Sequence, residues 1–271
     1  MYKNKMATTI INCAELNMSD IKMYAPRATN GGGKNIGMTN KRTNTGIRIQ
    51  LPIMRTYGAT DYEGNKNFSF SLQFPDISDP ATPPEYRNSL EKLVEFELHL
   101  KQKILDNAKE WLGKPLKGID MVDMIWTPML KYPNKADKSG DKDYNRPPTL
   151  NVKLPCWDSK WSSEIYDEEG ICVFSAEQSI GDTPLEFITK GTQVAAIIQC
   201  GGIWVVSGKV GVVWKLVQAV TKQANTSITG KCLINLKEMD KSKKFIETTK
   251  DDTLKSETTS EVADSDDEGD R

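Results

Sequence analysis

The sequence predicts a mainly β fold, a small antiparallel barrel or sandwich with one long inserted α-helix, elaborating loops and a disordered acidic tail. Three observations carry that prediction. Short apolar runs alternate with polar residues at period two through the middle of the chain. One stretch, residues 84–112, repeats its apolar residues at three- and four-residue intervals instead. Residues 251–271 hold Leu254 and Val262 as their only sizeable aliphatics among Ser, Thr, Asp and Glu, too little apolar surface to offset the entropy of ordering. The expected organisation is a basic N-terminal arm or loop over 1–45, a β domain over 46–240, and the tail over 241–271.

In chain order, Gly31-Gly32-Gly33-Lys34 and the surrounding Asn and Thr mark the first segment as irregular, with one short strand at Thr8–Cys13. From Gly46, Ile47, Ile49, Leu51 and Ile53 alternate with polar or bulky outward residues, a first strand. A turn region over Tyr57–Asn67 leads to Phe68, Phe70, Leu72 and Phe74, which alternate likewise and pair with it. Pro83-Pro84 opens the helix and Gly113 with Pro115 closes it; Leu90, Leu93, Val94, Leu100, Ile104, Ala108, Trp111 and Leu112 form its apolar stripe, with Glu97 set inside. Met121–Tyr132 reads as a strand holding Trp126, and 133–148 as a long hydrophilic loop. Further strands are expected at Thr149–Trp157 and Gly170–Ser175. The strongest β block is Thr192–Cys200, Gly201-Gly202, Ile203–Val206, Ser207-Gly208-Lys209 and Val210–Val220, where Gly-Gly reads as a hairpin turn. Thr226–Leu236 reads as the last strand.

The net charge of −1 conceals an asymmetry: residues 1–50 balance at +6 and residues 251–271 at −7. The acidic end is a solubility tail, a competitor for the chain's own basic surface, or a dock for partners; composition does not choose among these. No run approaches the length of a membrane-spanning helix, and Ala7–Ile11 is too short for a secretory core, so a non-secreted protein without a membrane role is expected. The five cysteines (13, 156, 172, 200 and 232) are scattered and the single histidine, His99, stands alone. Reduced thiols and no metal or cofactor are the expectation.

No enzyme is expected. Gly31–Gly37 lacks the order of a phosphate-binding loop, no nucleophile elbow occurs, and paired carboxylates such as Asp120 and Asp123 are ordinary in a chain with 27% charged residues. What stands out is cations interleaved with rings: Arg55 with Tyr57, Lys66 with Phe68, Trp126 with Lys131 and Tyr132, Lys160 between Trp157 and Trp161, and Lys209 and Lys215 around Trp214. A cationic groove with rings on which bases stack is how unpaired nucleic acid is held. The candidate binding residues are Lys41, Arg42, Arg48, Arg55, Tyr57, Lys66, Lys131, Tyr132, Lys135, Trp161, Lys209 and Lys215. Phe70, Phe74, Trp111 and Trp214 are expected in the core.

The run Gln199-Cys200-Gly201-Gly202-Ile203-Trp204-Val205-Val206-Ser207-Gly208-Lys209-Val210, continuing to Val220, resembles a segment of the single-stranded DNA-binding proteins of nucleocytoplasmic large DNA viruses. Pro52-Ile53-Met54-Arg55-Thr56-Tyr57-Gly58 and Gly230-Lys231-Cys232 fit the same pattern. The resemblance implies an oligonucleotide-binding (OB) barrel that coats and protects exposed strands, without base specificity, during viral DNA replication, recombination or repair in host cytoplasm or nucleus. Single-stranded DNA is then the expected partner, with RNA binding and homo-oligomerisation left open. The acidic end is similar to the tails of phage-type replication binders but finishes Gly269-Asp270-Arg271 and not in an aromatic residue, which puts polymerase or helicase docking in doubt. The alternative expectation is a β-rich virion or assembly protein with no nucleic-acid role.

Overall fold

The computed structural model describes residues 10–61, 64, 67–137, 139–158, 160–175, 177 and 183–222. The expected strand at 226–236, the tail, Lys66 and Cys232 lie outside them. The described elements run β1 (Ile11–Asn12), β2 (Ile21–Met23), β3 (Arg27–Ala28), β4 (Lys34–Ile36), β5 (Met38–Asn40), β6 (Arg48–Gln50), β7 (Met54–Asp61) and β8 (Phe68–Gln73). Then follow α1 (Pro84–Asp106), α2 (Ala108–Leu112) and α3 (Ile119–Ile125). The remainder is β9 (Trp126–Thr127), β10 (Leu130–Lys131), β11 (Thr149–Lys153), β12 (Cys156–Trp157), β13 (Lys160–Trp161), β14 (Glu164–Tyr166), β15 (Cys172–Phe174), β16 (Gln193–Val206) and β17 (Lys209–Lys222).

The molecule is mainly β, and its pairings run in a circuit. β7 pairs antiparallel with β8, β8 antiparallel with β11, β11 parallel with β17, β17 antiparallel with β16, and β16 antiparallel with β7 again. Around that circuit the register climbs. From Arg48 on β6 the rows pass through Gln199, Lys215, Lys153 and Ser69 to Thr60 on β7, so the path comes back farther along the chain and not at its start.

Alternation explains the walls. Phe70, Leu72 and Phe74 are buried while Ser71 and Gln73 are not, as their spacing predicts. Ile47, Ile49 and Leu51 are buried too, but Ile53, expected beside them, is 55% exposed. Gln50 faces Ile197 whereas Met54 faces Val194, so four steps on one strand answer three on the other. Pro52 has no N–H to give the ladder, the strand bulges there, and parity flips so that Met54 and Thr56 point inward.

The inserted helix breaks once. At Asn107 both the backbone N–H and the side-chain amide donate to the Lys103 carbonyl, at 3.2 and 2.8 Å, ending α1 before α2 begins. Leu93, Phe96, Leu100 and Ile104 press into the core, where Phe96 meets Trp214 with ring centroids 5.4 Å apart. Phe96 lies off the expected stripe and Val94, expected in it, is partly exposed.

Three further expectations are corrected. Met121–Tyr132 is not one strand: α3 precedes β9 and β10, because a short apolar run fits either period and here contacts to α1 decide. Asp123 pairs with Lys101 at 2.9 Å, and Trp126 Nε1 donates to Glu97 at 2.9 Å. Residues 10–45 are no loose arm, since Cys13, Leu16, Met18, Ile21, Ile36 and Met38 are buried core residues. Gly201-Gly202 is not the hairpin turn. β16 runs through it with a register shift between Cys200 and Ile203, and Ser207-Gly208 makes the turn, both at positive φ as a type I′ hairpin needs.

A candidate nucleic-acid interface

Residues that alternate with the core side chains define the outer face. Lys215 sits between Trp214 and Leu216, and Lys153 between Val152 and Leu154; those four neighbours are buried. Because Lys153 and Lys215 are register partners across the parallel β11–β17 pair, both ammonium groups leave the sheet on the same side. Gln199 is the partner of Lys215 on β16, and Arg48 the partner of Gln199 on β6, with Arg48 Nε donating to Gln199 Oε1 at 2.8 Å. Arg48, Gln199, Lys215 and Lys153 thus stand side by side over four strands, a span of about 15 Å at ordinary strand spacing.

A second row lies alongside. Lys131 faces Thr149, Thr149 faces Gln73, and Gln73 faces Arg55. The two rows share β11, where Thr149, the partner of Lys131, lies four residues before Lys153 on the same face. Lys153 is held below its usual ammonium range, first by burial and second by the nearby positive charge of Lys131. Lys153 Nζ also donates to Asn67 Oδ1 at 2.6 Å. Among the described residues no salt bridge joins Arg48, Arg55, Lys131, Lys153 or Lys215 to a carboxylate. An outer face with several uncompensated cations, interspersed with amides and hydroxyls, suits a polyanion.

Rings border this face. Tyr57, two residues beyond Arg55, is 55% exposed. Trp204 lies over Gly211, where an added Cβ would come within 2.5 Å of its Cζ2, so a half-exposed indole flanks the Lys215 side. Trp157, at the tip of the β12–β13 hairpin that follows Lys153, is 81% exposed.

Other candidates fall elsewhere. Lys209 is on the same face of β17 as Lys215 but about 20 Å farther along, and its Nζ donates to the Met124 carbonyl at 3.2 Å. Tyr132 is half-buried against Tyr144, ring centroids 4.8 Å apart, and burial pushes its phenol pKa up. Lys135 is bridged to Asp141 at 3.8 Å within the 133–148 loop. Trp161 packs on Phe68 at 4.7 Å and on Phe174 at 6.4 Å. Lys41 and Arg42 belong to the turn after β5, where Lys41 Nζ donates to Ser19 O at 2.6 Å and Arg42 pairs with Asp20 at 3.0 Å. The rows do not include them. Lys66 lies outside the described residues.

Lys153 and Trp204 complete the face without having been singled out as cation or ring by the sequence, and Trp157 was noted beside Lys160 but not among the candidate binding residues. The period-two pattern of β11 could have found Lys153, since a lysine between two buried aliphatics must point outward. His99 is half-buried on α1, its pKa lowered by burial and then by Lys103. Among the described residues no group of His, Cys, Asp or Glu could hold a metal ion, and no helix is long and apolar enough to cross a membrane.

No protein-family profile and no curated protein matches this chain. Solved structures similar to it include three of a phage protein. One is the single-stranded DNA-binding protein from bacteriophage Enc34, 11% identical, covering 79% of this chain and 96% of that one with a TM-score of 0.39. A C-terminal truncation of it gives 12%, 75%, 96% and 0.39, and its complex with ssDNA gives 13%, 74%, 96% and 0.40. These are phage proteins and not proteins of nucleocytoplasmic large DNA viruses.

Proposed function

We propose that this protein binds single-stranded DNA, tolerant of sequence, on the outer face of an OB barrel. The circuit of five strands, with its single parallel pair and climbing register, is the connectivity such a barrel requires. In that frame β7, β8, β11, β16 and β17 are its first to fifth strands. Ligands of OB folds use the face of the second and third strands and the loops that flank it. Here that face carries Ser71, Gln73, Thr149, Asn151 and Lys153.

The observation that carries the proposal is the juxtaposition of Lys131, Lys153 and Lys215 on adjacent strands without a carboxylate partner among the described residues. Phosphates would lie along those lysines, with Arg48 and Arg55 beside them. Tyr57, Trp157 and Trp204 offer surfaces for bases, each stack worth roughly 1–3 kcal/mol. Contacts to phosphate and to the faces of bases carry no sequence information. Such a binder would coat strands exposed in replication, recombination or repair and needs no catalytic group. The acidic tail would act on the same electrostatics, as a competitor for the cationic face or a dock for replication proteins.

Fluorescence anisotropy with labelled dT oligomers tests this directly. Tight binding is expected that exceeds affinity for duplex of the same length and weakens with salt by about 0.7 in log affinity per phosphate neutralised, per log unit of salt. Preference for duplex, or indifference to salt, would overturn it. An oligo-U strand in the same assay decides between DNA and RNA.

A further inference from the structure

A groove of ≈ 500 Å³ runs between α1 and the 127–144 segment. Its walls include Val94 and Leu98 from the helix, the second of them 58% exposed, and the ring pair Tyr132 and Tyr144. Tyr144 is 73% exposed, inclined at 56° to its neighbour, so one broad aromatic surface stays open. Lys131 and Lys142 stand at its rim.

The carboxylate lining this groove is committed elsewhere. Glu97 accepts from Trp126 Nε1 at 2.9 Å and from the Met129 backbone N–H at 3.2 Å, and it faces Lys101 at 3.6 Å. Lys101 is answered in turn by Asp123 at 2.9 Å. Lys142, by contrast, donates to the neutral amide oxygen of Asn134 at 2.8 Å, and among the described residues Lys131 forms no salt bridge. Two aliphatic side chains, an open ring and two uncompensated ammonium groups are the complement of a flat, heteroaromatic ligand with flanking negative charge. Lys131 also belongs to the cationic rows, which makes the groove continuous with them.

Building on the strand-binding function above, we propose that this groove captures one unstacked nucleobase of the bound strand. The base lies on Tyr144 beside Val94 and Leu98, and its flanking phosphates rest on Lys131 and Lys142. The track then does not follow the outer face alone but turns over its edge toward α1.

A double-mutant cycle on the full chain tests the proposal, using a dT oligomer and an abasic oligomer of equal length. Tyr144→Ala, exposed enough to spare the fold, should weaken dT binding roughly five- to a hundredfold, the worth of one base stack, and leave abasic binding unchanged. Leu98→Glu should weaken dT binding as well. Equal losses on both strands with Tyr144→Ala, or no loss on dT, would overturn the groove. So would a poly-glutamate peptide whose binding Leu98→Glu abolishes while dT binding persists. Lys153→Gln separates the two levels: if it lowers affinity for both strands while Tyr144→Ala does nothing, strand binding stands and base capture falls. If the wild-type chain binds neither strand at low salt, strand binding itself has failed.

Discussion

Neutralising three lysines together gives the most direct measure of the outer face. Lys215 and Lys153 are cross-strand partners, and Lys131 pairs with Thr149 on the same face of β11, so all three ammonium groups leave the sheet on one side. A phosphate contact on single-stranded nucleic acid contributes about 0.7 to the slope of log affinity against log salt. Lys131→Gln, Lys153→Gln and Lys215→Gln combined should therefore flatten the slope by about 2, and at ~0.1 M salt cost roughly a hundredfold in affinity. Stability should hold, because Lys131 and Lys215 are exposed and a neutral amide at 153 removes a partly desolvated charge. The assay is anisotropy of labelled dT over a salt series, with thermal melting alongside and Lys109→Gln, on α2, as the control. An unchanged slope in a folded triple variant, or an equal change in the control, would refute the assignment of this face.

Further outcomes follow from individual groups. Burial and Lys131 lower the Lys153 pKa, so the folded state penalises its charge; that penalty is full below the folded value, is relieved as pH rises through it and is gone above the unfolded value. Urea-unfolding free energy should therefore rise over that alkaline window in the wild type more than in Lys153→Met. Burial pushes the Cys13 and Cys200 thiols up to about 12, so alkylation of native protein at pH 8, mapped by mass spectrometry, should label Cys156 and Cys172 well before either. Gly202→Ala should cost ~3 kcal/mol or more in chemical denaturation, because φ is +91° and the new Cβ would lie 2.5 Å from the Ile36 carbonyl oxygen. Gly208→Ala, with φ +74° but open space around it, should cost only ~1 kcal/mol.

Legibility from the sequence tracked how local each cause was. The Phe68–Phe74 alternation and the limits of the helical stretch depend on neighbours in the chain, and the structure matches them closely. Ile53 defeated its own pattern because one residue of bulge reverses parity, and the pairing that forces it lies on β16, far away in sequence. Gly201-Gly202 carries a turn signature, yet Gly202 is required by the close approach of β4, which no local pattern announces. The candidate interface divides in the same way. Lys215, Lys131 and Arg55 were visible as cations beside rings and do come onto neighbouring rows. Trp161 had the same signature, but Phe68 and Phe174 take its ring. Whether an aromatic residue near a charge faces inward depends on the register of distant partners, and spacing alone does not contain that.

The pairing of β6 and β7 with β16 governs how this molecule must be made. Arg48 and its hydrogen-bond partner Gln199 are 151 residues apart, and β17, which pairs with both β16 and β11, ends at Lys222. During synthesis β6 and β7 emerge long before anything exists to pair with their outer edge. β7 can meet β8 early, but the β16 side of both strands stays unpaired until nearly the whole described chain has left the ribosome. Such distant pairing makes for slow folding and a lengthy exposure of Ile47, Ile49 and Met54 to other nascent chains.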